Sequence, residues 1–495
     1  MVLETQAYSH QKYEILIGEV AERFDRAKAI RANWGGLWQE CYDYALPNRS
    51  PRTLSAGRSD HIYDATALDA VDELASMLLG YLTPPMTPWF AIKAGTDLTD
   101  EEAGKIAPLL DKATRVMQAH FDQSNFLVEI HQCFLDMVVS GTASLAFEEG
   151  APGDLSAFRF TALPISDVSF LEGQDGYLDV VFRELSLSVD RIQERYEYPE
   201  TVLSNDQPLD VIECVLPMRD GEGYLFIAYL RDAAETLSVQ KLSQSPYINF
   251  RWMKSPGEVY GRSPVMKALP DIKTANKVVE LILKNASIAV TGIWQADDDG
   301  VINPATIQLV PGAIIPKAVG SKGLTPLEMP SRFDVSQLVL EDLRARIRHA
   351  LLVDRLPAVG GGKMTATEIA ERTGQIALLL GATFGRLQVE LLHPLLQRAY
   401  QILRDRGAVP DLPLDGRTLA IEYRSPFARA QSTAHIQTLI GWLGMAQSLG
   451  KDAAARVNGD AVLDYFARTL GVPAVFLNQT IPFHQTSQEG ETKHD

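Results

Sequence analysis

Two short stretches of this chain carry residue types able to act on a phosphate or a metal. Gly360-Gly361-Gly362-Lys363 has the glycines and lysine of a phosphate-binding loop. Met364 follows where such a loop needs Ser or Thr to hold Mg²⁺, and no hydrophobic strand leads directly into it. The competing reading is a mobile loop: its glycines let the chain reverse between two helices, and Lys363 reaches a phosphate. Asp297-Asp298-Asp299-Gly300 could attract Ca²⁺. No register that places the glycine sixth puts a glutamate twelfth, so a turn at the tip of an insert is the better reading. The nine histidines form no HExxH and no Cys/His cluster, and no serine sits in GxSxG. Neither catalysis, cofactor nor metal is expected.

Charge on two helical segments is more telling. Lys273, Lys277 and Lys284 lie at i, i+4 and i+11, close to one face, with Glu280 in helical reach of the last two. Arg344 and Arg348 are four apart on a second segment. Such residues form either a solvated face with intrahelical pairs or the lining of a passage, and charge alone leaves both open.

The elements that must position these residues follow from punctuation and period. Residues 8–46 read as helix, interrupted near Gly35-Gly36. Asp64 caps a helix from Ala65 to Leu82, which stops at Thr83-Pro84-Pro85. Thr99 caps another running toward Phe121, with an acidic first turn, and a further one spans 127–139 before Gly141. From about 143 to 250 the period changes. Phe158–Phe160, 168–171, 180–182, 209–216, 224–230 and 237–242 read as antiparallel strands. A long helix then fills 264–290, a Gly/Pro-punctuated strand-like insert 291–333, and a second long helix about 335–353. A third runs from Thr365 or Thr367 to about Arg406, bent at Gly374, Gly381, Gly385 and Pro394. A strand at Leu419–Tyr423 and C-terminal helices from about 431 follow, and the polar tail from Gln485 reads as disordered. Two long helices enclosing a compact insert are either a hairpin that needs neighbouring copies to cover it or two ordinary helices inside a large α/β domain.

At 495 residues the chain can hold one large core or two to three smaller ones. Apolar content of 46% with 22% charged residues is that of a soluble globular chain. Three scattered cysteines exclude a disulfide framework and point to a reducing compartment. The N-terminus lacks the basic and apolar regions of a signal peptide, and no apolar run is long enough to span a membrane. The expectation is a soluble protein, intracellular when made. A formal charge of −17 permits only weak or local contact with nucleic acid.

One stretch reads as a signature. In Arg251-Trp252-Met253-Lys254-Ser255-Pro256-Gly257-Glu258-Val259-Tyr260-Gly261-Arg262-Ser263-Pro264, glycines and prolines make a rigid hinge, Ser263 can N-cap and Pro264 opens the long helix. It resembles the portal proteins, or head-to-tail connectors, of short-tailed tailed phages. Further patches resemble that family in the right order along 30–410: Trp38-Gln39-Glu40 with Tyr44–Pro47, Asp64–Ala67, Leu82–Pro85 with Trp89-Phe90, and Ser140–Ala143. Met364–Glu368 and Glu390-Leu391-Leu392-His393-Pro394-Leu395 with Arg398 complete them.

The resemblance implies an α+β portal-type fold. Its parts are a wing (1–262), stem helix (263–290), clip (291–333), second stem helix (334–354) and tunnel loop (355–364). A long bent wing helix with its returning strand (365–424), a helical crown (425–484) and a tail (485–495) follow. It implies a homo-oligomeric ring of twelve subunits at the unique capsid vertex, passing double-stranded DNA non-specifically. The partners implied are the terminase motor, capsid and scaffolding proteins and tail adaptors, with no membrane. Lys363, Lys273, Lys277, Lys284, Arg344 and Arg348 become candidate channel cations, and Gly360, Gly361 and Gly362 the tunnel loop. The alternative is a virion assembly or scaffold protein with no DNA channel.

Overall fold

The computed structural model describes residues 10–47, 61–85, 87–196, 207–218, 223–233, 235–291, 294–296, 324–326, 333–354, 381, 383–424, 426–450 and 457–470. The phosphate-loop candidate, Asp297–Gly300 and the tail lie outside them. The chain divides into two compact units: residues 1–79, 120–361 and 382–402, and residues 80–119, 362–381 and 403–495.

In the first unit, α1 (His10–Ala45) runs unbroken through Gly35-Gly36. The predicted interruption does not occur. Each helical glycine costs about 1 kcal/mol relative to alanine, but packing on both sides of the pair holds the helix. N-terminally, Ile17, Val20, Phe24 and Ala27 sink into the inner face of a five-stranded sheet, against Phe182, Ile212, Cys214 and Ile227. C-terminally, Trp38 and Tyr42 are buried.

That sheet is an antiparallel meander of β4 (Val168–Leu171), β5 (Val180–Leu187), β6 (Leu209–Pro217), β7 (Tyr224–Leu230) and β8 (Thr236–Leu242), in that order. Strand alternation sends Ile212 and Cys214 toward α1, and Val211 and Ala228 to the opposite face. There α5 (Val189–Tyr196), a helix the sequence reading lacked, covers them with Ile192.

A second, three-stranded sheet sets β2 (Thr142–Glu149) between β3 (Phe158–Leu163) and β9 (Tyr247–Arg251). It packs on α4 (Phe126–Ser140) through a cluster of Phe126, Phe147, Phe158 and Phe160, joined by Phe121. α2 (Thr66–Leu82) starts at the expected cap, with the Thr66 amide donating to Asp64 Oδ1 at 3.0 Å.

α6 (Pro264–Thr291) and α7 (Phe333–Ala350) lie side by side. Between them in sequence, β10 (Trp294–Ala296) and β11 (Leu324–Pro326) pair antiparallel, so the insert between the long helices is strand-bearing as expected. The helix of 383–387 passes through a π-turn at Gln388–Leu392 into α8 (His393–Asp405). A bend is expected at Pro394, which has no amide for the Glu390 carbonyl and whose ring would strike it, and the chain makes that bend as this π-turn.

In the second unit, β1 (Phe90–Ala94) pairs antiparallel with β12 (Leu419–Tyr423). α3 (Asp100–Asp122), whose last residues belong to the first unit, opens with a capping box. The Glu102 amide donates to Thr99 Oγ1 at 3.4 Å and the Thr99 amide to Glu102 Oε2 at 3.0 Å. α9 (Pro426–Ser448) and α10 (Gly459–Leu470) pack together.

Candidate functional site: the root and shaft of the two-helix hairpin

The hinge before α6 is built backbone against backbone. Gly141 ends α4 at φ +83°, and its carbonyl accepts from the Trp252 amide at 2.9 Å. A Cβ on Gly141 would sit 2.2 Å from the Gly261 carbonyl, and one on Gly261 2.1 Å from the Gly141 carbonyl, so each must be glycine. The Gly261 amide donates to Thr142 Oγ1 at 2.8 Å and Ser263 Oγ to the Val139 carbonyl at 2.8 Å. Ser263 Oγ also accepts from the Met266 amide at 2.9 Å, the expected N-cap. Trp38 Nε1 donates to the Ser140 carbonyl, and its ring meets Tyr260 edge-on at 4.9 Å. Patches at 38, 140–143, 251–264 and 390–398 thus converge on the start of α6. Arg251, with no side-chain exposure, pairs there with Glu390 at 2.7 Å, and Arg398 donates to the Phe147 carbonyl at 2.7 Å.

A second anchor lies farther along the hairpin. Asn276 on α6 accepts from the Tyr63 and Asp64 amides and donates to the His61 carbonyl at 2.9 Å. Arg344 on α7 pairs with Asp64 at 2.8 Å. Burial pushes the Asp64 carboxyl up, but hydrogen bonds from Thr66 and Arg344 outweigh it and hold it below its ordinary range. One carboxylate therefore caps α2 and ties down α7.

Each candidate cation that can be placed has a carboxylate partner. Lys273 reaches Glu40 on α1 at 3.1 Å and lies over the Tyr44 ring. Lys277 and Lys284 share Glu280, at 2.9 and 2.5 Å, and their hydrogen bonds hold its carboxyl below the usual range. Arg348 lies 3.4 Å from Asp354. The spacing of the lysines was legible in sequence, and so was the N-cap role of Asp64. The partners Glu40, Asn276 and Glu390 were not, because they lie between 139 and 233 residues away from Lys273, the 61–64 backbone and Arg251, which they hold. Lys363 and Gly360–Gly362 lie outside the described residues.

Past Asn276, no side chain of α6 is buried among the described residues. Leu281 and Leu283 on α6 and Leu338 and Val339 on α7 are 48, 52, 71 and 46% exposed. The apolar stripe of Val265, Ala268, Leu269 and Ile272 continues at Val279, which is half-buried, and Leu283, which is exposed.

The family of bacteriophage head to tail connecting proteins matches residues 18–477 of this chain. The chain belongs to that family. Connectors similar to it include the probable portal protein of Bordetella phage BPP-1, 25% identical over 91% of this chain and 86% of the relative. The portal protein of Salmonella phage epsilon15 is 24% identical over 91% and 87%. Among solved structures, the neck of an empty gene transfer agent particle covers 86% of this chain and 95% of its own, at 14% identity and a TM-score of 0.40. Among the described residues no cluster of His, Cys, Asp or Glu could hold a metal, and no helix is long and apolar enough to cross a membrane.

Proposed function

We propose that this connector assembles into a closed ring of twelve copies at one capsid vertex, through which double-stranded DNA enters and leaves. The observation that carries the reading is the uncovered apolar surface of the hairpin. Leu281, Leu283, Leu338 and Val339 occupy helices whose inner halves are firmly rooted, and repeating head-to-tail contact around a ring covers such faces with identical copies. Lys277, Lys284 and Glu280 leave one net positive charge per subunit on an exposed stretch of α6. Repeated around a ring, it touches phosphates without reading bases, and the chain's overall acidity keeps that contact weak. Lys363 and the three glycines before it are proposed as a second contact with phosphates. Arg344 belongs to the anchor on Asp64 rather than to the passage. The packaging motor, capsid, scaffold and tail adaptors are proposed as partners of the assembled ring.

Negative-stain imaging of the purified full chain tests this directly. Rings with a central hole are expected. Compact monomers would favour an assembly or scaffold role without a channel.

A further inference from the structure

Two stretches of this chain far apart in sequence meet at one buried ion pair. Arg251 ends β9, just before the hinge, and its guanidinium is fully enclosed. Nη2 donates to Glu390 Oε1 at 2.7 Å and to the Gly176 carbonyl at 2.8 Å, and Nε lies 3.3 Å from both Glu390 oxygens. Nη1 donates to the Val259 carbonyl at 3.0 Å and to Glu172 Oε1 at 3.2 Å. The Arg251 backbone amide adds a bond to Glu390 Oε2 at 2.9 Å, and Arg386 Nη1 a bond to Oε1 at 2.9 Å.

Glu390 sits inside the π-turn, where the His393 amide reaches back five residues to the Gln388 carbonyl. A π-turn inserts one residue into a helix, so it shifts the phase of everything before it by about 100° relative to everything after. Two causes can hold the turn in place: Pro394, and the ion pair. Proline is accommodated by a simple kink as readily as by an inserted residue. The ion pair has no such freedom. Slipping the helix by one residue would swing Glu390 away and take from the enclosed Arg251 charge its one buried, directly bonded carboxylate, leaving carbonyls, the partly exposed Glu172 and the nearby Asp179.

We propose that Arg251 is a positioning residue which, through Glu390, locks the rotational phase of the helix on the N-terminal side of the π-turn. The base of α6 and the helix at 383–387 are thereby set by one contact. Within the ring reading above, that phase decides which residues upstream of the turn face the passage. The lock itself rests only on the geometry of one subunit.

Spin labels test the phase. Gly385→Cys lies upstream of the turn, where an added Cβ meets nothing within 4 Å, and Leu155→Cys is a reference site 86% exposed. Cys41, Cys133 and Cys214 are buried and stay unlabelled. Labelled full chain is diluted with excess unlabelled chain, so that only distances within one subunit are read by pulsed electron resonance. The parent and Pro394→Ala should give the same single narrow distance, because the ion pair is intact in both. Glu390→Gln and Arg251→Met should broaden it or displace it by up to roughly 8 Å, the chord of that rotation at the helix surface. An unchanged distance in both ion-pair variants overturns the lock. So does a displaced distance in Pro394→Ala, which decides the matter even if the ion-pair variants do not fold. Mass photometry on the parent reports assembly independently: monomers with this distance pattern overturn the ring and leave the lock standing.

Discussion

At the scale of residues, the hinge makes demands that differ sharply between its glycines. Gly257 has φ +82° with open space around its missing Cβ, so Gly257→Ala costs only the left-handed backbone, about 1–2 kcal/mol. Gly261→Ala forces two chain segments apart and should cost more, with a visibly larger drop in melting temperature by calorimetry. The buried acids set the response to pH. Glu213, fully enclosed on β6, accepts from Arg195 at 2.9 Å, Tyr196 at 2.8 Å and Tyr247 at 2.5 Å, with Arg183 at 3.4 Å. Burial raises its carboxyl, but Arg195 and Arg183 prevail and hold it below its ordinary range. Glu184 beside Lys28 and Arg31 is lowered in the same way, as is Asp64. A depressed folded-state value means the unfolded chain binds protons more readily. The stability contributed is fully present above the unfolded carboxylate range, near pH 4.3, and lost as pH falls through the lower folded values. Urea midpoints should therefore hold steady with respect to these groups at neutral pH and decline below about pH 4.5. Glu213→Gln should lower stability by about 3 kcal/mol at pH 7, since it leaves two arginines facing a neutral group. Equal urea midpoints for this variant and the parent would show that Glu213 contributes nothing net.

At the scale of elements, α6 is two different helices in one. Its first half is a wall of the first unit, with Val265, Ala268, Leu269, Ile272 and Ala275 buried, and none of the described side chains of its second half is buried. Val279 lies just past the Asn276 anchor. Val279→Pro breaks the helix there at about 3 kcal/mol or more. Rings should be lost while the β-sheets keep their hydrogen-exchange protection, because their cores lie on α1, α4 and α5. Unchanged oligomers by mass photometry would sink the assignment of this half to intersubunit packing.

At the scale of the whole molecule, the proposed channel role leaves the supply of energy to a separate packaging motor. Purified protein should show no ATP hydrolysis above background, and saturable ATP binding that vanishes in Lys363→Ala would overturn that view. Shortening Gly360–Gly362 should leave rings intact and yield particles with normal shells and reduced DNA. Full packaging and retention would reduce the stretch to a connection between helices.

What the amino-acid sequence determined by itself was local. Period and punctuation placed α2, α4, α6 and the strands of the meander, because Asp64, Gly141 and Ser263-Pro264 act on backbone within a few residues of themselves. The ordered patches from 38 to 398 pointed to the family for the same reason: they are contiguous words. β1, β2 and β9 were missed: β1 and β9 are short strands whose partners, β12 and β2, lie far along the chain, and β2 is buried over six successive residues and so lacks the alternation that marks a strand. The break expected at Gly35-Gly36 was overruled by burial of α1 on either side. Only the tertiary structure decided that Arg251 meets Glu390, that Arg344 holds Asp64, and that Lys273 leans on Glu40. Those pairings depend on distance in space, and a carboxylate in sequence carries no mark of which cation it will face once the chain has folded.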